Sequence, residues 1–165
     1  MNKSLRSLKS GAQGGFTLIE LVVVIVILGI LAATAIPRFT DLSADARISK
    51  MQAAAGAIRA GSAMFHAQWL VNGSPADTVK VNMEGLDVTG VAGYPAGTLD
   101  GIVVAAGGLT DYVTAPAGGV VTVTPDAGHA NCIVTYTQAV PAVAPATAPT
   151  APVVNTAALT QANCR

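Results

Sequence analysis

Phe16-Thr17-Leu18-Ile19-Glu20-Leu21-Val22-Val23-Val24-Ile25-Val26-Ile27-Leu28-Gly29-Ile30-Leu31-Ala32-Ala33-Thr34-Ala35-Ile36 is a run of 21 residues with a single charge, Glu20. As a helix it would be ~31 Å long, about the thickness of a bilayer's hydrocarbon core. Ahead of it stand Lys3, Arg6 and Lys9 with no acid among them. By the positive-inside rule the first residues stay in the cytoplasm and everything after Ile36 is exported. The run also explains a lopsided composition, in which 52% of the 165 residues are hydrophobic and 11% charged, against roughly 25% charged in ordinary soluble domains. That length is one domain's worth of chain. High hydrophobicity at zero formal net charge excludes a disordered tail. Nine bases balanced by nine acids argue against a nucleic-acid binder, which needs a basic excess on one face.

Two simple readings of the run meet the same obstacle. In a secretory signal peptide, residues 21–31 would be the apolar stretch and Ala33-Thr34-Ala35 the cleavage site. Glu20 then stands at the start of that stretch, and Pro37 lies two residues after the cut. In an uncleaved membrane anchor, Glu20 is an unexplained cost. An acid costs at least ~2.5–3.5 kcal/mol at the centre of a membrane helix, less toward an end, and its presence there usually marks function.

The string Gly14-Gly15-Phe16-Thr17-Leu18-Ile19-Glu20-Leu21 resembles the processing site of type IV prepilins and of the related pseudopilins of type II secretion. The resemblance implies that a membrane prepilin peptidase cuts between Gly15 and Phe16 and methylates the new Phe16 amine. It also places Glu20 at the family's glutamate. Cleavage creates an α-amine with a reference pKa near ~8. In an apolar filament core that amine and a carboxylate are tolerable only as a pair, so Glu20 is expected to meet the amine of a neighbouring subunit and set axial register.

Pro37 cannot donate to the carbonyl of Ala33 and crowds it, and Gly29 costs ~1 kcal/mol relative to Ala inside a helix. Residues 29–37 are therefore the easiest part of the helix to kink or melt, and they resemble the segment that unwinds when pilin-like filaments assemble. A plain membrane-helix kink fits the same residues. Beyond them the helix turns amphipathic: Ile48, Met51, Ala55, Ile58, Ser62, Phe65 and Trp69 repeat at alternating steps of three and four, with Arg47, Lys50 and Arg59 off the stripe. Asn72-Gly73 followed by Pro75 ends it. The expectation is one long helix over residues 16–71, whose second half lays its apolar face on a sheet. His66 reads as packing, since no second His or Cys lies at metal-ligand spacing.

The remainder is rich in Gly, Val, Thr and Ala. Residues 78–83 could be a short strand or an extended segment. Thr98 is expected to cap a short helix over residues 99–106, in which Leu99, Ile102, Val103 and Ala106 share a face and Gly107-Gly108 ends it. Residues 119–124 and 132–137 are β-branched and alternating, with Pro125-Asp126-Ala127-Gly128 between them, which predicts an antiparallel hairpin. Residues 139–153 hold four prolines and six alanines and read as an extended loop. Cys132 and Cys164 are the only cysteines, both in the exported part, and an even pair in an oxidising compartment reads as a disulfide.

Fold class is thus α+β, with the long helix packed on a small antiparallel sheet and a disulfide-closed C-terminal loop, as in the pilin fold. Such a loop resembles that of type IVa pilins. Gly93-Tyr94-Pro95 and Cys132-Ile133-Val134-Thr135-Tyr136-Thr137-Gln138-Ala139 resemble pilins of the mannose-sensitive haemagglutinin type. The expected organisation is a cleaved leader (1–15), a transmembrane and filament-core helix (16–37), its amphipathic half (38–71) and a globular head (72–165).

No nucleotide loop, nucleophile signature or cofactor motif is present, so no enzyme activity, cofactor or metal is expected. Asp100, Asp111 and Asp126 are too dispersed for a convincing calcium site. Asn72-Gly73-Ser74 reads as a turn before a glycan acceptor, and Thr147 and Thr150 among prolines are weak O-glycan candidates. The resemblance implies a homopolymer built by a pilus assembly machinery with a separate ATPase, serving adhesion, biofilm formation or motility. The precursor would sit in the bacterial inner membrane and the product in an extracellular pilus, with no nucleic-acid partner. A pseudopilin in a periplasmic pseudopilus, a minor pilin, and a non-polymerising membrane-tethered binding module are the competing expectations. Removing the leader leaves six bases and nine acids, a side-chain charge of −3. Residues 16–71 carry four bases and three acids (+1), and residues 72–165 two bases and six acids (−4).

Overall fold

The computed structural model describes residues 15–75, 79–142 and 150–165, with residues 35–41 described by backbone alone. Lys3, Arg6 and Lys9 of the expected leader, and Thr78 and Thr147, lie outside the described residues. The chain divides into two units, Met1–Phe39 and Thr40–Arg165. One helix of 54 residues, α1 (Leu18–Val71), belongs in sequence to both.

α1 begins two residues later than expected, because Thr17 stands outside it as a cap. The Glu20 N–H donates to Thr17 Oγ1 at 3.3 Å, satisfying one of the free donors of the first turn. The other end closes as Asn72-Gly73 suggests. Gly73 adopts φ 82°, and its N–H and that of Ser74 return to the carbonyls of Leu70 (3.0 Å) and Trp69 (3.1 Å). A left-handed glycine satisfies terminal carbonyls in this way at many helix ends.

In the second unit the expected stripe is the core. Met51, Ile58 and Phe65 are completely buried, Ala55 nearly so, Ser62 is buried, and Ile48 and Trp69 pack partly buried against the cluster. Ala44 and Ala54 are buried with them. Facing the stripe are two antiparallel sheets, where the sequence suggests one. The first orders β1 (Lys80–Met83), β2 (Leu86–Val91) and β3 (Tyr94–Pro95); the second orders β4 (Val113–Ala117), β5 (Val120–Thr124), β6 (Val134–Thr137) and β7 (Val153–Asn155). Alternation places Val81, Val88, Val121, Val123, Val134 and Tyr136 inward.

The β5–β6 hairpin forms as expected, with Val121 opposite Tyr136 and Val123 opposite Val134. Three tight turns join β1 to β2, β2 to β3 and β4 to β5. Glu84-Gly85, Ala92-Gly93 and Gly118-Gly119 all carry positive φ at both central positions, the twist that two-residue hairpins require.

Two expectations are corrected. The helix over residues 99–106 is a broken segment: Leu99–Val103 is interrupted at Gly101 (φ −101°, ψ −108°), and Thr98 makes no capping hydrogen bond. Leu99 is 53% exposed, while Ile102 and Val103 are buried. At the break the backbone runs close to Ala96: a Cβ on Gly101 would lie 2.2 Å from the Ala96 carbonyl oxygen, which accepts from the Ile102 N–H at 2.9 Å. The segment also lies close to α1. A Cβ on Gly61 of α1 would lie 2.2 Å from the Ala105 carbonyl oxygen. The ending at Gly107-Gly108 does hold, with φ 86° and 90°. Second, the proline-rich stretch, whose residues 143–149 lie outside the described residues, is not loop at its described ends. Val140 bridges Thr150, and Val153 starts β7, pairing with Thr137 of β6.

Cys132 and Cys164 form the expected disulfide, 32 residues apart and fully buried. Closing a loop of that length contributes about 3–4 kcal/mol on the chain-entropy view.

Candidate assembly surface

The first unit presents its apolar side chains to solvent on every face. Each large apolar residue from Phe16 to Leu31 is exposed, from 39% at Val22 to 88% at Phe16. A helix apolar all round is suited to burial in lipid or among other helices, not to water. Glu20 is exposed in the first turn and is the only acid there. Its Thr-x-x-Glu spacing with Thr17 is a capping signal that the sequence reasoning passed over. An acid at a helix N-terminus also faces the positive end of the helix dipole. Gly15 and Phe16, flanking the expected cut, are exposed and non-helical.

Gly29 and Pro37 both lie within a continuous helix. Nothing lies within 4 Å of a Cβ built on Gly29, so no close packing demands glycine there. Among the described residues no helix is long and apolar enough to cross a membrane. The fully described apolar stretch, residues 18–34, is 17 residues long and meets the backbone-only stretch at 35.

Two of the second unit's bases, Lys50 and Arg47, find carbonyl partners. Lys50 Nζ donates to the carbonyls of Asp111 (2.7 Å) and Pro125 (2.8 Å) and lies 4.8 Å from the centre of the Tyr112 ring. Arg47 donates to the Cys164 carbonyl at 3.1 Å and lies 3.8 Å from Asp126 Oδ2. Position off the apolar stripe told that these residues leave the core, but nothing in the pattern told where they go.

His66 is packed, as expected. Its Nδ1–H donates to the Gly93 carbonyl at 2.8 Å, and its ring stacks on Tyr94 (4.2 Å) and Trp69 (5.6 Å). The three scattered acids take separate places. Thr89 donates to Asp100 Oδ2 at 2.7 Å, which holds that carboxyl below the usual carboxylate range. Asp126 accepts from His129 Nδ1 at 2.7 Å, the main cause of its own lowered pKa. The Asp111 backbone carbonyl serves Lys50. Tyr136 donates to the Pro95 carbonyl at 2.7 Å, and burial pushes its phenol well above the usual range.

Residues 11–36 match the family of the prokaryotic N-terminal methylation motif. The chain is 47% identical over 77 residues to the type IV narrow pilus major component PilA5 of Thermus thermophilus, covering 46% of this chain and 65% of that one. It is 34% identical over 88 residues to the type IV major fimbrial protein FimA of Dichelobacter nodosus, covering 53% and 52%. With the type IV major alpha-pilin of Moraxella bovis it shares 34% identity over 106 residues, covering 53% and 67%. The chain thus spans about half to two thirds of the length of these curated relatives. No solved structure matches it significantly. With the likeness spanning two thirds of a major pilin's length beside the chain's own methylation motif, the chain belongs to the type IV pilins.

Proposed function

We propose that the chain is a structural subunit of a type IV pilus, polymerising through the first half of α1 and displaying the disulfide-closed head for adhesion, biofilm formation or motility. The observation that carries this reading is the helix of residues 18–34, apolar on every face, exposed, and charged only at Glu20. Cleavage between Gly15 and Phe16 by a prepilin peptidase, with methylation at Phe16, frees the amine that Glu20 of a neighbouring copy neutralises. Before assembly the helix rests in the inner membrane, and afterwards it lines the core of an extracellular filament driven by a separate ATPase. The stretch between Gly29 and Pro37 yields during that transfer. In this organisation residues 1–15 are leader, 16–37 membrane and filament core, 38–71 the packed half of the helix and 72–165 the head. Gly93-Tyr94-Pro95 and the string from Cys132 to Ala139 support the haemagglutinin-type subgroup.

Mass analysis of sheared surface filaments tests the reading, with N-methyl-Phe16 as the expected terminus. An intact Met1, or a terminus at Ile36, overturns it. Glu20→Leu is expected to cut filament yield by at least about tenfold, because it leaves a buried amine unpaired. Wild-type yield would remove the pairing role.

A further inference from the structure

Packing begins abruptly along α1. Every described side chain of the helix before Ala44 is exposed, and Ala44 is fully buried. Within that same turn two polar residues reach the C-terminal segment. Asp45 Oδ1 accepts from Gln161 Nε2, and Arg47 donates to the Cys164 carbonyl at 3.1 Å. Arg47 also reaches Ser43 Oγ at 3.4 Å and Asp126 at 3.8 Å. Cys164 is anchored by its disulfide to Cys132, two residues before β6 starts. All these contacts lie in the unit Thr40–Arg165.

We propose that the disulfide-tied C-terminal segment is a clamp on α1, in which Gln161 and Cys164 hold Asp45 and Arg47 and fix the turn where the head-held half of the helix begins. The inference rests on the polymerising reading for its purpose, since that reading has the helix yielding between Gly29 and Pro37. A helix that loosens there unravels turn by turn until tertiary contacts stop it. Ahead of Met51 the apolar stripe offers only Ala44, whose side chain is small, and Ile48, which is only partly buried. Lys50 adds hydrogen bonds to the Asp111 and Pro125 carbonyls further along. At the first packed turn, however, it is Asp45 and Arg47 that hold the helix, and the buried disulfide makes their partner a fixed point of the head.

Backbone hydrogen exchange of the mature full-length chain in detergent micelles reads the clamp directly. The intact protein is expected to show protection rising sharply across residues 44–51. Arg47→Ala and Gln161→Ala should each lower protection of those amides, by roughly tenfold for Arg47→Ala, while residues 54–65 keep theirs. Thr89→Val, which removes the remote hydroxyl on Asp100, should leave the step in place. Unchanged protection at 44–51 in both variants overturns the clamp. So does an equal loss along all of residues 44–71, which would mean general destabilisation of the head. Moving the step with Thr89→Val overturns it too. Filament loss in Glu20→Leu bears on the polymerising reading alone, since this step is measured on unassembled protein.

Discussion

The two halves of α1 are both helical and differ in what keeps them so. Residues 18–34 expose every side chain, so within the single chain they rely on local propensity and on one cap at Thr17. From Ala44 onward the helix spends one face on the two sheets, with Met51, Ile58 and Phe65 wholly buried. Most helical stability in folded proteins comes from such an apolar face. The second half has a core to pack on within the chain, whereas residues 18–34 bury none of their apolar side chains. Identical substitutions should therefore mean different things in the two halves.

Phe65→Ala and Val24→Ala make the strongest contrast. Phe65 is 0% exposed and fills the space against Gly90, where an added Cβ would lie 2.3 Å from its ring. Truncating it should cost about 3–5 kcal/mol of head stability, read as a lowered denaturant midpoint in micelles. Val24 is 47% exposed, and Val24→Ala should leave that midpoint unchanged while weakening filament assembly. A large midpoint shift for Val24→Ala would erase the distinction between the halves.

That contrast was largely legible in the residues. The change from an unbroken apolar run to a three–four repeat marks where α1 turns from exposed to packed, and β5 and β6 announce themselves by β-branched alternation. β4 does not. Its Val-Thr-Ala-Pro-Ala sequence contains Pro116, and four of its five residues are exposed. It is an edge strand, where proline is tolerated and no inward face is needed. β7 was hidden because the prolines before it dominate the local composition, whereas its place is set by pairing with β6. The assembly surface was readable because it is a composition. The clamp at Asp45 and Arg47 was not, because its partners are a backbone carbonyl and an amide brought from over a hundred residues away.

Glycine sharpens the comparison at smaller cost. In the first half of α1, Gly29 has open space around its missing Cβ. Gly29→Ala should firm the helix by about 0.8–1.0 kcal/mol, read as slower amide exchange around residue 29. In the head the opposite exchange helps. Ala92 holds φ 52° in the β2–β3 turn, a region that disfavours a Cβ. Ala92→Gly should raise head stability by about 0.5–1 kcal/mol. If Ala92→Gly destabilised the head, backbone strain in that turn would not be the controlling factor.

The smallest effect separates the halves by pH. Asp126 accepts from His129 at 2.7 Å and from the Gly128 N–H at 2.8 Å, and Arg47 lies 3.8 Å away. The hydrogen bond from His129 is the main cause of a carboxyl pKa below the usual value. A group whose folded pKa is depressed contributes stability above its unfolded pKa, near ~3.9, and loses it as pH falls through the folded pKa. Head stability should therefore be greater in the native protein than in Asp126→Asn at neutral pH, and the two should converge below about pH 4. Because Arg47 joins Asp126 to α1, the convergence should be accompanied by weaker amide protection at residues 44–51 in acid, while exchange across residues 18–34 is the same in both proteins. A stability difference that persisted undiminished to pH ~2 would mean that the asparagine perturbs the turn sterically and that the carboxylate's charge does not link it to the helix.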